Sequence, residues 1–313
     1  MSRIPVWIDT DTGVDDAFAL MTAFSLQDME VKGISAVAGN VPLSHTFINA
    51  RNVVSLCGRE DVPVYPGADK PLMIPLQTAE YVHGVNGLGE AVIPDSKAEF
   101  ETEKAWDALY RCAKQCQGTL ELILLGPETN AAIALNEHPD LVQYLKRILI
   151  MGGAAVGGNS TPAAEFNIFV DPQAAQIVFK SGIPIIMCGL DVTMKAGLNT
   201  EEMAKLDAGT APGCKLFRDS TQAARNLYSE RVGDVYIVHD ACPVIYAVKP
   251  ELFKGETAGV YVETRGRLTF GQTVTDLYTD VPFKKRNAAV ITDVDRSAFA
   301  KILMEAIQKA GQR

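Results

Sequence analysis

The chain alternates short, almost continuous apolar runs with segments of helical periodicity, and this alternation constrains its fold more than any other feature. Apolar runs at residues 4–9, 31–39, 119–126, 146–153 and 183–193 are typical of strands. Strands that are apolar on both sides belong to parallel sheets covered by helices on both faces. We therefore predict an α/β fold with a mainly parallel central sheet, Rossmann-like in its strand–helix alternation.

The carboxy-terminal part of the sequence departs from this pattern. Residues 259–279 are typical of short antiparallel strands, and residues 287–295 return as a strand before a final helix at 296–310. Because the sequence has no internal repeat and no Pro-, Gly- or Ser-rich linker, we predict that residues 1–313 form a single domain. Its parallel sheet would carry a small C-terminal antiparallel β extension.

Charge and composition exclude several classes of partner. The formal net charge is −9 and the basic residues are scattered, which argues against a nucleic acid or an anionic membrane surface. The first residues show no signal-peptide pattern, and the apolar run at 183–190 is too short to span a bilayer. Six cysteines in a chain of this length do not form a disulfide framework. We expect a cytoplasmic protein.

An acidic turn, IDTDTGVDD at residues 8–16, joins the first apolar run to the first helical segment. Its carboxylates are Asp9, Asp11, Asp15 and Asp16. Like charges this close repel, and each loses water on burial. The helix dipole and free N–H groups explain one or two carboxylates in a first turn, but not Asp11 as well. Oxygen ligands favour a hard cation, Ca²⁺ or Mg²⁺, so the turn predicts a metal site.

Polar residues recur where the predicted strands end. They are Asp9 and Asp11, Asn40, Asn130, Asp191, and the pair His239-Asp240. Ligands of parallel α/β folds bind at the carboxyl ends of the strands, so we expect one edge of the sheet to gather these residues. A histidine beside a candidate ligand is a fair general acid, which singles out His239.

Two long loops, residues 74–96 and 153–166, have a length that usually marks lids or binding loops. The first loop contains His83. The second leads into an acid and two amides, which suit recognition of several hydroxyls, although an Asx-rich loop before a helix explains them equally well. These residues are Asn159, Glu165 and Asn167. GGAAVGGN lacks the lysine and the spacing of phosphate-binding loops, so we do not expect a phosphate to hold the substrate.

Eight segments spread over most of the chain form a recognisable set. They are DTDTGVDD, AGN (38–40), HGVNGLG (83–89), LLGPETN (124–130), MGG (151–153), NSTPAAEFNIFVDP (159–172), GLDVT (189–193) and HD (239–240). With this set, the sequence resembles the inosine–uridine preferring nucleoside hydrolases. MCGLDVT and GRLTFGQTV are most similar to the broad-specificity bacterial ribonucleoside hydrolases. The resemblance implies the fold of that family and hydrolysis of ribonucleosides to ribose and free base, with uridine, inosine, cytidine and adenosine as candidate substrates.

The resemblance also implies roles for individual residues and an assembly. Ca²⁺ would be bound by Asp11, Asp16, Asp240 and the backbone carbonyl of Leu125, together with the ribose 2′- and 3′-hydroxyls and one water. Substrate contacts would come from Asp15, Asn40, His83, Asn159, Glu165, Phe166, Asn167 and Tyr228. Asp11 would act as general base on the metal-bound water, and His239 would protonate or position the leaving base. The transition state would be oxocarbenium-like, and the chain would form a homo-oligomer, either a dimer or a tetramer.

Three positions depart from the family pattern. Thr12 replaces the usual proline of DTDPG, and Met194 follows GLDVT where His or Asn is common. Glu128 stands where an apolar residue normally precedes Thr129, and we expect it to alter the neighbouring surface. None of these departures removes a proposed ligand.

Two other functions fit part of the sequence. In a haloacid-dehalogenase-like phosphatase, Asp9 would be the nucleophile and Mg²⁺ the metal, with Lys195 and Asp293 or Asp295 completing the site. That interpretation leaves the EFN segment and His239-Asp240 unexplained. A non-catalytic nucleoside sensor that uses Ca²⁺ structurally would carry the same motifs as the hydrolase.

Overall fold

The computed structural model describes residues 3–89, 91–229, 235–277 and 285–312, without the side chains of residues 223, 224 and 226–229. Its strands are β1 (Ile4–Thr10), β2 (Met29–Ala36), β3 (Val64–Pro66), β4 (Leu120–Leu124), β5 (Leu145–Met151), β6 (Ile185–Cys188), β7 (Gly197–Asn199), β8 (Val235–Ile237), β9 (Phe253–Val262), β10 (Thr273–Asp276) and β11 (Ala288–Val294). Its helices are α1 (Val14–Ser25), α2 (Leu43–Leu56), α3 (Glu80–His83), α4 (Ala105–Cys116), α5 (Thr129–Glu137), α6 (Phe166–Val170), α7 (Pro172–Lys180), α8 (Leu190–Thr193), α9 (Thr200–Asp207), α10 (Pro212–Ser229), α11 (Ala241–Val248) and α12 (Arg296–Lys309).

A nine-stranded sheet runs through the molecule in the order β10-β9-β11-β6-β5-β4-β1-β2-β3. The strands from β3 to β11 are parallel, whereas β9 pairs antiparallel with β11, and β10 with β9. The predicted parallel sheet with a small antiparallel extension is therefore confirmed. The chain winds outward from β1 in one direction and from β4 in the other, which places the switch point between these two strands. Ligands of doubly wound sheets bind at such a crevice.

Each face of the sheet is covered by its own hydrophobic core. On β1, Val6 and Ile8 pack into the core shared with α1, α2, α11 and α12. Trp7, which points to the opposite face, packs into the core shared with α4, α5 and α7. All three side chains are buried, because alternate residues of a strand point to opposite faces and here both faces are covered.

The strand predicted over residues 183–193 is shorter than its apolar run. β6 ends at Cys188, and Leu190–Thr193 forms the short helix α8. The N–H of Leu190 donates to the carbonyl of Gly153 at 2.9 Å, so the backbone past β6 bonds with the loop that follows β5. Because of this contact, the chain leaves the sheet after Cys188, although its sequence stays apolar beyond that residue.

The segment that leads to His239 lies outside the main sheet, contrary to the prediction that it forms one of its strands. β8 pairs with β7 as a separate two-stranded antiparallel ribbon. Tyr236 of this ribbon packs edge-on against Phe217 of α10, with ring centroids 5.8 Å apart, so α10 supports β8. His239 and Asp240 therefore reach the edge of the sheet from the side.

The assignment of residues 1–313 to one domain stays a prediction. It is supported by the sheet, in which β1 and β11 come from opposite ends of the chain. Among the described residues, no helix combines the length and the apolar character that crossing a membrane requires.

Glu128 is fully buried, so the expectation that it alters the protein surface is wrong. Neither of its carboxylate oxygens has a hydrogen-bond partner among the residues that the structure describes. Burial raises the pKa of Glu128 well above its usual value, and the neighbouring carboxylates Glu165, Asp171 and Asp9 raise it further. Glu128 therefore holds its proton more firmly in the folded protein than in the unfolded chain.

This burial predicts that Glu128→Gln stabilises the protein increasingly as pH rises. In the unfolded chain a glutamate loses its proton near a pH of about 4.3, whereas in the folded chain Glu128 retains it, so rising pH favours unfolding. The free energy of unfolding of the variant should exceed that of the parent by an amount that grows between about pH 5 and pH 8, by up to about 1.4 kcal/mol per unit. Urea denaturation at several pH values measures this difference.

The matched control is Asp293→Asn, which removes a half-exposed carboxylate. This control should change the unfolding free energy little at any pH, because exposed ion pairs contribute little. A stability difference for Glu128→Gln that does not vary with pH would contradict a protonated Glu128.

Candidate active site

A cavity of about 380 Å³ opens at the carboxyl ends of β1, β2, β4 and β5, a size typical of small-molecule sites. The predicted site residues in its wall are Asp15, Asn40, His83, Leu125, Asn159, Glu165, Phe166, Asn167, His239 and Asp240. Asp11 and Asp16 are fully buried. The side chain of Tyr228 lies outside the described residues. The loops at 74–96 and 153–166 both contribute to the wall.

Asp16 is held firmly by its own turn. One carboxylate oxygen accepts a hydrogen bond from Thr10 Oγ1 at 2.6 Å. The other accepts from the N–H of Gly13 at 2.9 Å and from Asn40 Nδ2 at 3.1 Å. These donors fix the orientation of Asp16 at the start of α1, where the helix dipole also favours a negative charge.

Asp11 lies between two glycines at the ends of neighbouring strands. A Cβ atom would lie 2.2 Å from Asp11 Oδ2 at Gly39 and 2.6 Å from Asp11 Oδ1 at Gly126, so neither position has room for a side chain. Asp11 Oδ2 accepts the N–H of Asn40 at 2.7 Å. Asp11 Oδ1 is buried and has no hydrogen-bond partner in the described parts of the chain.

Three further carboxylates form a tight group. Asp15, Asp16 and Asp240 each place an oxygen within 4.8 Å of the others. Burial raises the pKa of each of them, and the neighbouring charges raise the pKa of Asp16 and Asp240 further. For Asp15, the nearby His239 acts in the opposite direction and lowers the pKa. Asp16 and Asp240 of this group are predicted metal ligands, and Asp15 is a predicted substrate contact.

These oxygens suit a hard cation. Burial raises the pKa of Asp11 well above its usual value, and the charge of Asp16 raises it further, so a positive ion would relieve both effects. The buried Oδ1 of Asp11 has no hydrogen-bond partner among the described residues, so it is available as a ligand. The carbonyl of Leu125 accepts Asn167 Nδ2 at 2.7 Å, which fixes its direction. The chain therefore has carboxylate and carbonyl oxygens suitable for a divalent ion.

A further part of the cavity wall is built around α6. Glu165 accepts N–H bonds from Gly153 at 2.9 Å, Asn167 at 3.0 Å and Ile168 at 3.2 Å, and burial raises its pKa to about 7. Asn159 Oδ1 accepts the N–H of Phe166 at 3.0 Å. Glu165 and Asn159 thus cap and order this segment, as a polar loop before a helix does, while both also line the cavity.

Two histidines line the cavity, and each has one ring nitrogen constrained by a hydrogen bond. His83 Nδ1 lies 3.2 Å from the N–H of Val14, which can only donate, so this nitrogen accepts and Nε2 carries the proton. Burial lowers the pKa of His83 to about 4. His239 Nδ1 lies 2.8 Å from Thr193 Oγ1, and burial lowers the pKa of His239.

Several contributors were not identified from the sequence. Thr10 bonds Asp16, and Thr193 bonds His239. Thr10 belongs to the DTDTG motif and Thr193 to GLDVT, so these motifs were the sequence signal that could have identified both threonines. Tyr81 and Tyr236 also line the cavity, and no local pattern marks them. Met194, which the sequence showed as a departure from the family pattern after GLDVT, lines it as well.

The geometry does not support the phosphatase interpretation. Asp9 lies within β1, accepts hydrogen bonds from Ser35 and from Asn130 Nδ2 at 2.8 Å, and takes no part in the cavity wall. Lys195 is half exposed and bonds the carbonyl of Thr292 at 2.6 Å. Asp9 is therefore not placed for nucleophilic attack on a ligand in the cavity, and Lys195 takes no part in the cavity wall.

Known proteins resemble this chain over nearly its whole length. It is 40% identical over 307 residues to a pyrimidine-specific ribonucleoside hydrolase RihA from Salmonella enteritidis PT4, covering 97% of this chain and 98% of that protein. It is 40% identical over 304 residues to a RihA of the same description from Citrobacter koseri, covering 96% and 97%. The structure matches a purine-preferring ribonucleoside hydrolase from Gardnerella vaginalis with a TM-score of 0.91 and 31% identity, covering 99% and 100%.

A family model described as inosine-uridine preferring nucleoside hydrolase matches residues 6–301. Together with the relatives at 40% identity, this match excludes the phosphatase interpretation and a purely sensory role. The chain belongs to the inosine-uridine preferring nucleoside hydrolase family and is a hydrolase of N-glycosyl bonds.

Proposed function

We propose that this protein hydrolyses pyrimidine ribonucleosides, with uridine and cytidine preferred over inosine and adenosine, to ribose and free base in the presence of Ca²⁺. The observation that carries the proposal is the tight group of Asp15, Asp16 and Asp240, of which Asp15 and Asp240 line one cavity together with two histidines. The preference for pyrimidines is supported by the relatives at 40% identity, which are pyrimidine-specific ribonucleoside hydrolases.

The proposed metal ligands are Asp11, Asp16, Asp240 and the carbonyl of Leu125, with Asp15 beside them. Ca²⁺ is preferred because all of these ligands are oxygens and several are carboxylates. When bound, the cation would orient the ribose 2′- and 3′-hydroxyls and lower the pKa of a water molecule.

Asp11 is the proposed general base. Its Oδ2 is held by the N–H of Asn40, whereas its Oδ1 has no partner among the described residues and is free to accept the proton of the attacking water. As the glycosidic bond breaks, positive charge develops on the ribose. The fixed carboxylates around it stabilise that charge without having to reorient.

The remaining residues position the nucleoside. The lower ribose hydroxyls are assigned to Asp15, Asn40 and Asn167, and the 5′-hydroxyl to Asn159 and Glu165, with Phe166 beside the sugar. The same acidic wall repels a 5′-phosphate, so nucleosides are favoured over nucleotides. Near the base, His239 supplies or positions a proton for the departing group, and His83 donates a hydrogen bond from Nε2.

The first prediction concerns substrates and metal. Uridine and cytidine should release ribose and free base faster than inosine, whereas 2′-deoxyuridine and UMP should release little. Addition of a chelator should abolish the release from uridine, and re-addition of Ca²⁺ should restore it. Liquid chromatography of the free base, with a reducing-sugar assay for ribose, measures both products. Release from inosine as fast as from uridine, or release that a chelator leaves unchanged, would contradict the proposal.

The second prediction concerns the general base. Asp11→Asn keeps the shape of the side chain but removes its basicity, so kcat on uridine should fall by about 10²–10⁴-fold. Asp293→Asn, which alters a half-exposed carboxylate far from the site residues in sequence, is the control and should retain full activity. Near-normal turnover by a folded Asp11→Asn variant would rule out this role.

The third prediction concerns the leaving base. His239→Ala should reduce kcat on uridine by about 10²-fold or more, because a uracil anion leaves poorly without a proton or hydrogen bond. The same variant should hydrolyse 4-nitrophenyl riboside almost as fast as the parent, because nitrophenolate leaves unaided. Equal losses on both substrates would reject the proposed role and indicate a general defect of the site.

The assembly into a dimer or tetramer and the cytoplasmic location remain predictions. Sedimentation of the purified protein would measure the assembly directly.

A further inference from the structure

Asn49 lies on α2 and joins two parts of the active site that are far apart in sequence. Its side chain is buried, and its Nδ2 donates to the carbonyl of Thr12 at 3.1 Å and to the carbonyl of Asn86 at 2.8 Å. Thr12 belongs to the acidic turn that follows β1. Asn86 belongs to the loop that carries His83.

The direction of the Asn49 amide follows from its partners. Both are backbone carbonyls, which only accept hydrogen bonds, so the nitrogen and not the oxygen of the amide must face them. The approach is close: a Cβ atom at Gly87 would lie 2.9 Å from Asn49 Nδ2 and 2.8 Å from Val41. Gly87 also has a positive φ of 82°, which a side chain would strain.

The segment from His83 to Gly89 is a compact turn, so its anchor at Asn86 also determines the position of the histidine. The N–H of Gly89 donates to the carbonyl of His83 at 2.7 Å, and the N–H of Gly87 to that of Gly84 at 3.1 Å. At its other end, His83 Nδ1 accepts the N–H of Val14. The turn is therefore attached to the acidic turn at two points, directly at His83 and through Asn49 at Asn86.

We propose that Asn49 is a positioning residue for His83. Its Nδ2 donates to the carbonyls of Thr12 and Asn86 and so keeps the turn packed against the start of α1. His83 Nδ1 can then accept the N–H of Val14, and its Nε2–H can donate to the base. The proposal rests on the proposed function, which gives His83 its role at the leaving base.

The same helix provides a matched control one turn further along. Asn52 is buried as well, donates to Asp95 Oδ1 at 3.1 Å and accepts the N–H of Ser96 at 2.9 Å. It anchors the same long loop but makes neither of the contacts that join the two turns. A loss caused by loosening of the loop in general would be shared by Asn52→Ala and Asn49→Ala.

The experiment is a double-mutant cycle with two substrates. The variants are Asn49→Asp, Asn49→Ala, His83→Ala, Asn52→Ala and the combination of Asn49→Asp with His83→Ala. Asn49→Asp replaces the donor by an oxygen that repels both carbonyls, and Asn49→Ala removes the donor without adding charge. Thermal unfolding of each variant establishes that it is folded, and kcat and KM are measured on uridine and on 4-nitrophenyl riboside.

We expect Asn49→Asp and Asn49→Ala to lower kcat on uridine on the order of 10- to 100-fold, as misplacement of a positioned group does. Asn52→Ala should cost little. Once His83 is absent, Asn49→Asp should cost little more, because the two residues act through one interaction. The loss should be small on 4-nitrophenyl riboside, whose leaving group needs no hydrogen bond from His83.

Hydrogen exchange provides a readout that does not depend on activity. The Val14 amide should exchange faster in Asn49→Asp, Asn49→Ala and His83→Ala than in the parent. In Asn52→Ala its exchange rate should equal that of the parent. Additive losses in the cycle, or a Val14 amide as protected in Asn49→Ala as in the parent, would overturn the role of Asn49. Absence of uridine hydrolysis by the parent, with faster Val14 exchange in the Asn49 variants, would instead reject the proposed function and retain the positioning.

Discussion

Burial of several like-charged carboxylates at one end of the sheet is the constraint on which the rest of the structure depends. Asp11, Asp15, Asp16 and Asp240 lose water and repel one another, and nothing in an apolar core offsets such a cost. The fold holds Asp16 with a backbone donor at the start of α1 and Asp11 with a backbone donor after the end of β2. What remains uncompensated is negative charge in a cavity, which suits a cation and a ribose that becomes positive as it reacts.

Most of the fold could be predicted because its strands are buried on both faces and therefore remain apolar throughout. The predictions were wrong where tertiary contacts determine where a strand ends or which strand it pairs with. The run over residues 183–193 stays apolar beyond Cys188, so its periodicity does not reveal that the chain leaves the sheet for the loop after β5. β8 has the composition of a sheet strand, yet it pairs with β7 and packs on α10. Pairing partners of short strands are not encoded locally.

The site was predictable to the extent that its residues stand inside motifs. Asp15, Asn40, Glu165 and His239 come together in one cavity from segments far apart in sequence. Residues that act through a neighbour were missed, because a threonine that bonds His239, or an asparagine that bonds two carbonyls, has no distinctive spacing. Burial of Glu128 was missed for a related reason, since a charged side chain is normally expected at the surface.

The two glycines beside Asp11 leave no room for substitution at that part of the site, whereas other parts of the cavity wall are formed by side chains. Gly39 and Gly126 contact the Asp11 carboxylate with backbone atoms alone. A substitution at either glycine would therefore displace the carboxylate instead of adjusting its surroundings. The cavity is also lined by Tyr81 of the short helix α3, by Met194 directly after α8 and by Tyr236 of the ribbon outside the main sheet. Under the proposed function these side chains would face the base, so nucleobase preference would drift between relatives while the cleavage of the ribose bond is inherited unchanged.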